Sequence, residues 1–163
     1  MKNDAFMAFA VMALFTVSPA RAVAPAEDRE TVVGAFVAAF NEHSVEKMLA
    51  HVSDGVEWLS VNGREVTAET AGKEALAASM ADYFESCPSC RSELVVIAPA
   101  GSRVVTLEKA TWTSKSGPRS QQSLAVYEFE GGAIRRVYYF PSEEAGAFDG
   151  PESAGRPSGD GKR

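Results

Sequence analysis

The stretch that most constrains this chain is QSLAVYEFEGGAIRRVYYF, residues 122–140, where two runs rich in β-branched and aromatic residues flank Gly131-Gly132. A glycine pair supplies the positive φ of a tight hairpin turn, and the period-two alternation on either side predicts two antiparallel strands. Alternation also sorts side chains by face. Ser123, Ala125, Tyr127 and Phe129 fall together on the first strand, and Ile134, Arg136, Tyr138 and Phe140 on the second. These two sets are the expected wall of a pocket inside a curved sheet.

Ahead of the hairpin, apolar residues recur at helical spacing. Val32, Val33, Phe36, Val37 and Phe40 predict an amphipathic helix over 27–41, with Glu27, Asp28 and Glu30 at the end where the helix dipole favours acids. Ser44 is the expected N-cap of a short second helix carrying Val45, Met48, Leu49 and Val52, ended by Asp54-Gly55. Residues 56–62 alternate as a strand, with Trp58, Ser60 and Asn62 on one face. Residues 63–71 are expected to be a polar loop, and residues 73–85 a third helix with Leu76, Met80, Tyr83 and Phe84 as its stripe. Pro88 stops that helix. Further strands are expected over 92–98 and 103–113, linked by turns at 99–102 and 114–119. Helices first and strands afterwards predict an α+β domain with the helices on one face of an antiparallel sheet.

The two ends read differently. Residues 5–17 are an uninterrupted apolar run behind Lys2, followed by SPARA, which has the form of a signal peptide cleaved after Ala22. Thirteen residues are too short for the roughly 20 that a bilayer core requires, so no stable membrane anchor is expected after cleavage. The expected organisation is a signal peptide at 1–22, one domain at 23–143 and a disordered tail at 144–163, where Gly, Pro, Ser and acids leave little to bury. Export to the periplasm or the extracellular space follows. Cleavage removes Lys2, Arg21 and Asp4, so the formal charge of −6 becomes −7. An acidic chain without a basic, aromatic-rich run is a poor binder of nucleic acid, which needs cations against phosphate.

Two constellations could carry chemistry. Cys87-Pro88-Ser89-Cys90 holds both cysteines of the chain, and an exported protein is expected to oxidise them. Reactive C-x-x-C thiols usually sit at a helix N-terminus, whereas Cys87 follows a helix end. A structural disulfide is therefore the preferred reading. His43 and His51 lie at no recognised zinc spacing, so no metal is expected; both are read as surface helix residues. The second constellation is Glu108, which alternation places on one strand face with Thr106, Ala110 and Trp112. If that face is concave, Glu108 meets Arg136 and Tyr138, and a buried carboxylate needs such a partner. No G-x-S-x-G, H-E-x-x-H or phosphate-cradling glycine loop occurs, and no cofactor is implied.

On the residues VVGAFVAAFNEHS, SDGVEW, GKEAL and VYEFEGGAIRRVYYF, the chain over about 29–141 resembles the NTF2-like superfamily, and within it the SnoaL-like domains. The resemblance implies a cone in which a strongly bent sheet wraps the N-terminal helices around a pocket, and dimers formed through the outer sheet face. It also implies that Phe36, Trp58, Ser60, Glu108, Trp112, Tyr127, Arg136, Tyr138 and Phe140 line that pocket. Phe36, Ser60 and Ala125 stand where the ketosteroid isomerases of this superfamily carry a tyrosine, a base and a second acid. None of the three can do that work. Cyclases carry an acid late in the final strand, where this chain has Val137-Tyr138-Tyr139-Phe140, and the Asp-Arg-Asp set of limonene-epoxide hydrolases has no counterpart. The expected function is binding of a small, largely apolar ligand that carries one polar or anionic group, held by Arg136 and a tyrosine hydroxyl. The alternatives are an isomerase or cyclase using Glu108 as acid or base, and a dimeric interaction module whose pocket is filled by Trp58, Trp112 and Tyr138.

Overall fold

The computed structural model describes residues 26–144; the signal-peptide expectation and all but the first residue of the expected tail lie outside them. The element order is α1 (Ala26–Asn41), α2 (Val45–Ala50), β1 (Val52–Asn62), β2 (Glu65–Ala71), α3 (Lys73–Ser86), β3 (Arg91–Ala100), β4 (Arg103–Ser114), β5 (Gly117–Glu130), β6 (Ala133–Tyr139) and β7 (Glu143–Glu144). The strands form one sheet in the order β2-β1-β6-β5-β4-β3, with β7 paired to the start of β5. β1 and β6 run parallel and the other neighbours antiparallel, so the α+β expectation holds with a mixed sheet. Among the described residues no helix is long and apolar enough to cross a membrane.

The core forms where the helical stripes meet the concave sheet face. Val33, Phe36, Val37 and Ala39 of α1, Met48 of α2 and Leu76 and Phe84 of α3 are buried against Val56, Val104, Ala125, Tyr127, Ile134 and Val137. Each fully buried apolar side chain contributes roughly 1.5–3 kcal/mol, so this shared face holds the two layers together. Ser44 caps α2 as expected, accepting from the Lys47 amide at 3.4 Å. The central hairpin turns at Gly131 and Gly132, whose φ values of 61° and 89° are the left-handed pair that such a turn requires.

Several boundaries differ from the sequence reading, and the expected turns at 99–102 and 114–119 are shorter, since β3 runs to Ala100 and β5 starts at Gly117. Residues 65–71, expected as loop, form β2, because Gly63 (φ 62°) allows a tight hairpin back onto β1. β1 starts at Val52, so Asp54-Gly55 lies within a strand and does not end a helix. Glu143 and Glu144 pair with Gln122 and Gln121, so the fold runs through the first residue of the expected tail.

The larger correction is on β6. Phe129 pairs with Ile134 but Glu128 pairs with Arg136, leaving Arg135 as an extra residue. A bulge of this kind reverses which parity faces inward. Ile134 and Val137 are therefore both fully buried, Tyr139 follows them inward, and Arg136, Tyr138 and Phe140 turn to the outer face.

Candidate functional site

The concave face encloses a cavity of about 240 Å³ whose wall includes Phe36 and Phe40 from α1, Met80 and Tyr83 from α3, Trp58 from β1 and Tyr139 from β6. The ring of Trp58 stacks on that of Tyr139 at 5.0 Å and tilts against Phe36 at 6.0 Å. The polar side of the wall comes from β3, β4 and β5, as Ser92, Glu108, Gln121 and Ser123. Such a concave, mostly apolar space with a few convergent polar groups is the usual form of a small-molecule site, and it is small against the common range of about 300–1,000 Å³.

Glu108 is the carboxyl group on its wall and is 6% exposed. Its Oε1 accepts from Thr106 Oγ1 at 2.8 Å and from the Tyr127 hydroxyl at 2.6 Å. Its Oε2 accepts from the Tyr139 hydroxyl at 2.8 Å and from Ser92 Oγ at 3.4 Å. The two tyrosine oxygens are 3.3 Å apart. Four hydroxyl donors fill the four lone-pair positions of an ionised carboxylate. Burial, reinforced at both by Glu108 and at Tyr127 also by Tyr139, pushes both tyrosine hydroxyls well above their ordinary range, so they remain protonated donors.

Alternation along β4 and β5 accounts for this network. Val104, Thr106 and Glu108 point inward from β4, and Ala125 and Tyr127 from β5, as the sequence reading has it. Two members were missed: Ser92, which had no expected role, and Tyr139, which the Arg135 bulge brings in where Tyr138 was expected. A signal was present: Ile134 and Val137 are three apart with two arginines between, a spacing that a regular strand does not bury on one face.

The remaining expected wall residues separate. Phe36, Trp58 and Glu108 line the cavity, and Tyr127 lies beneath it as a donor to Glu108. Ser60 is not on the cavity wall. Trp112 lies at the edge of a shallow surface depression with Ser89, Lys109 and Arg119. Phe140 is 37% exposed and Tyr138 donates to Glu128 at 3.4 Å, so Trp112 and Tyr138 do not plug the cavity. Arg136 does not meet Glu108. Its cross-strand neighbours are Glu57 on β1 and Glu128 on β5, and it forms ion pairs with both. Arg103 extends this outer row, reaching Glu128 at 2.6 Å. The Arg136 hydrogen bond holds the Glu57 carboxyl below its ordinary range. Burial alone would raise Glu128, but Arg103 and Arg136 outweigh it and hold it low as well.

Cys87 and Cys90 are joined in a disulfide at the corner between α3 and β3. The Tyr83 hydroxyl donates to Cys90 Sγ at 3.3 Å, and Arg91 Nη1 reaches the Cys90 carbonyl at 2.6 Å and His43 Nε2 at 2.7 Å. His43 is thus no plain surface residue: its ring stacks on Phe84 at 4.4 Å and helps hold the corner against the α1–α2 turn. Asn41 clamps the same place, exchanging two 2.7 Å hydrogen bonds with the backbone of Ser92. Among the described residues no three His, Cys, Asp or Glu side chains are grouped to hold a metal ion.

Comparison with known proteins agrees with this architecture. Solved structures similar to the chain include an uncharacterized cystatin-fold protein from Novosphingobium aromaticivorans, 24% identical, with a TM-score of 0.61 over 69% of this chain and 97% of that one. An NTF2-like protein from Burkholderia pseudomallei is 17% identical, with a TM-score of 0.58 over 69% and 88% of the two chains. A putative ketosteroid isomerase from Kribbella flavida is 15% identical, with a TM-score of 0.60 over 73% and 80%. At these identities the likeness establishes the fold and carries no activity across. No curated protein matches the chain. The family model for the SnoaL-like domain matches residues 33–137, which span both the helices and the hairpin, and the chain belongs to the SnoaL-like domain family with its NTF2-like fold.

Proposed function

We propose that this is an exported binding domain that holds a small, largely apolar molecule in the cone cavity. The observation that carries the reading is an open aromatic space whose carboxylate is already fully hydrogen-bonded by the protein's own hydroxyls. A general base must have a lone pair within reach of the proton it takes. Glu108 would first have to release Tyr139 or Ser92, so catalysis is the weaker reading. Export rests on the apolar N-terminal run and accords with the disulfide. Pairing of two copies is supported by an apolar row on the outer face, where Val96, Leu107 and Leu124 are successive cross-strand partners and Phe140 adjoins Leu124.

Mass spectrometry of small molecules extracted from protein recovered from its native compartment tests the binding reading. A stoichiometric apolar compound is expected, and it should be lost when Ala110 on the cavity wall is replaced by Trp. Protein that carries nothing and takes up no apolar probe would remove the reading. Turnover that disappears in a folded Glu108→Gln variant would establish the catalytic alternative instead.

A further inference from the structure

The hydrogens on the cavity wall show which ligands it can accept. Four wall residues carry hydroxyls, and each directs its proton into the protein: Ser92 and Tyr139 to Glu108, Ser123 to the Phe140 carbonyl and Tyr83 to Cys90 Sγ. Each hydroxyl therefore keeps only its acceptor side for a guest. Among the described residues, the side-chain N–H donors on the wall are those of Trp58 and Gln121. Every group in contact with Glu108 is neutral, and the arginine expected beside it stands on the other face of the sheet. A carboxylate in an apolar cavity without a countercharge is held at a desolvation cost that hydroxyl dipoles only partly offset.

Building on the binding reading above, we propose that the cavity selects small apolar amines in their protonated form and rejects carboxylates. An ammonium group would supply the missing positive charge near Glu108 and donate to the acceptor oxygens around it. Its apolar body would sit among Phe36, Phe40, Trp58 and Met80, and the faces of the three aromatic rings also favour a cation. An anionic ligand would meet Glu108 with no cation to receive it.

Three probes of similar shape, benzylamine, toluene and benzoate, separate the possibilities when titrated into the full chain at neutral pH and followed by Trp fluorescence and calorimetry. Benzylamine is expected to bind about tenfold or more tighter than toluene, with benzoate showing no binding. In Glu108→Gln the side-chain amide donates to the Tyr139 hydroxyl and turns its proton toward the cavity, so the preference for benzylamine should vanish while toluene still binds. Glu65→Gln, an exposed β2 change of equal charge, should leave the preference intact and exclude a general effect of the acidic chain. Toluene binding with benzylamine no tighter than benzoate would overturn the amine preference and leave the binding reading standing. Failure of all three probes would overturn both. The probe series on the unsubstituted chain decides between these outcomes even if Glu108→Gln does not fold.

Discussion

The two faces of the sheet solve the problem of a strand carboxylate in opposite ways. On the outer face Arg103, Glu128, Arg136 and Glu57 alternate in charge across β4, β5, β6 and β1, each acid beside a guanidinium. On the inner face Glu108 is surrounded by hydroxyls and has no ion-pair partner among the described residues. Solvent near the outer row lowers both the cost of its charges and the worth of pairing them. The inner site has no such screening. A carboxyl placed where only dipoles compensate it is an arrangement that serves a binding site better than it serves stability.

The comparison predicts unequal effects of substitution. Glu108→Ala should have the largest, about 3 to 5 kcal/mol in denaturant melts, because it orphans the buried Thr106 and Tyr127 hydroxyls together with that of Tyr139. A change below about 0.5 kcal/mol would mean that water replaces the carboxylate freely. Tyr127→Phe should follow at about 1.5 to 3 kcal/mol, the range for a hydrogen bond to a charged group. The double variant Glu108→Leu with Tyr127→Phe should cost less than the sum of its single changes, since each removes the other's unmet need.

The outer row should respond weakly. Arg136→Ala is expected to lower the melting midpoint by only about 2 to 4 °C, within what an exposed pair contributes in a domain of this size. A larger drop than that from Tyr127→Phe would reverse the contrast between the faces. The smallest effect concerns acid. Glu57 and Glu128 have folded-state pKa values held below their ordinary range, so their stabilisation is present above that range and is lost as pH falls through the depressed values. Melts repeated from neutral pH into that acid window should fall less steeply for Arg136→Ala than for the unsubstituted chain. Parallel curves would show that Arg136 does not set the titration of its neighbours.

Much of this was legible beforehand. The apolar stripes of α1 and α3, the Ser44 cap and the Gly131-Gly132 turn are local signals, and helical or twofold periodicity is enough to read them. Alternation gave Glu108 its face and the family resemblance put that face inside with Tyr127, which holds because β4 and β5 pair without interruption between Val104 and Glu108. The same rule failed after Ile134 because one unpaired residue shifts every following side chain to the other face. Trp112 shares parity with Glu108 yet lies beyond the cavity, because a curved sheet encloses only part of each long strand.

By itself the sequence determined the class of fold, its three helices, the hairpin turn and the face that Glu108 shares with Thr106, all of which follow from neighbours along the chain. Only the tertiary structure decided that Tyr139 and not Arg136 meets Glu108. That outcome depends on the register between two strands, set jointly by the burial of Ile134 and Val137 and by the pairing of Arg136 with Glu57 some 79 positions away in the chain. No local pattern contains that distance.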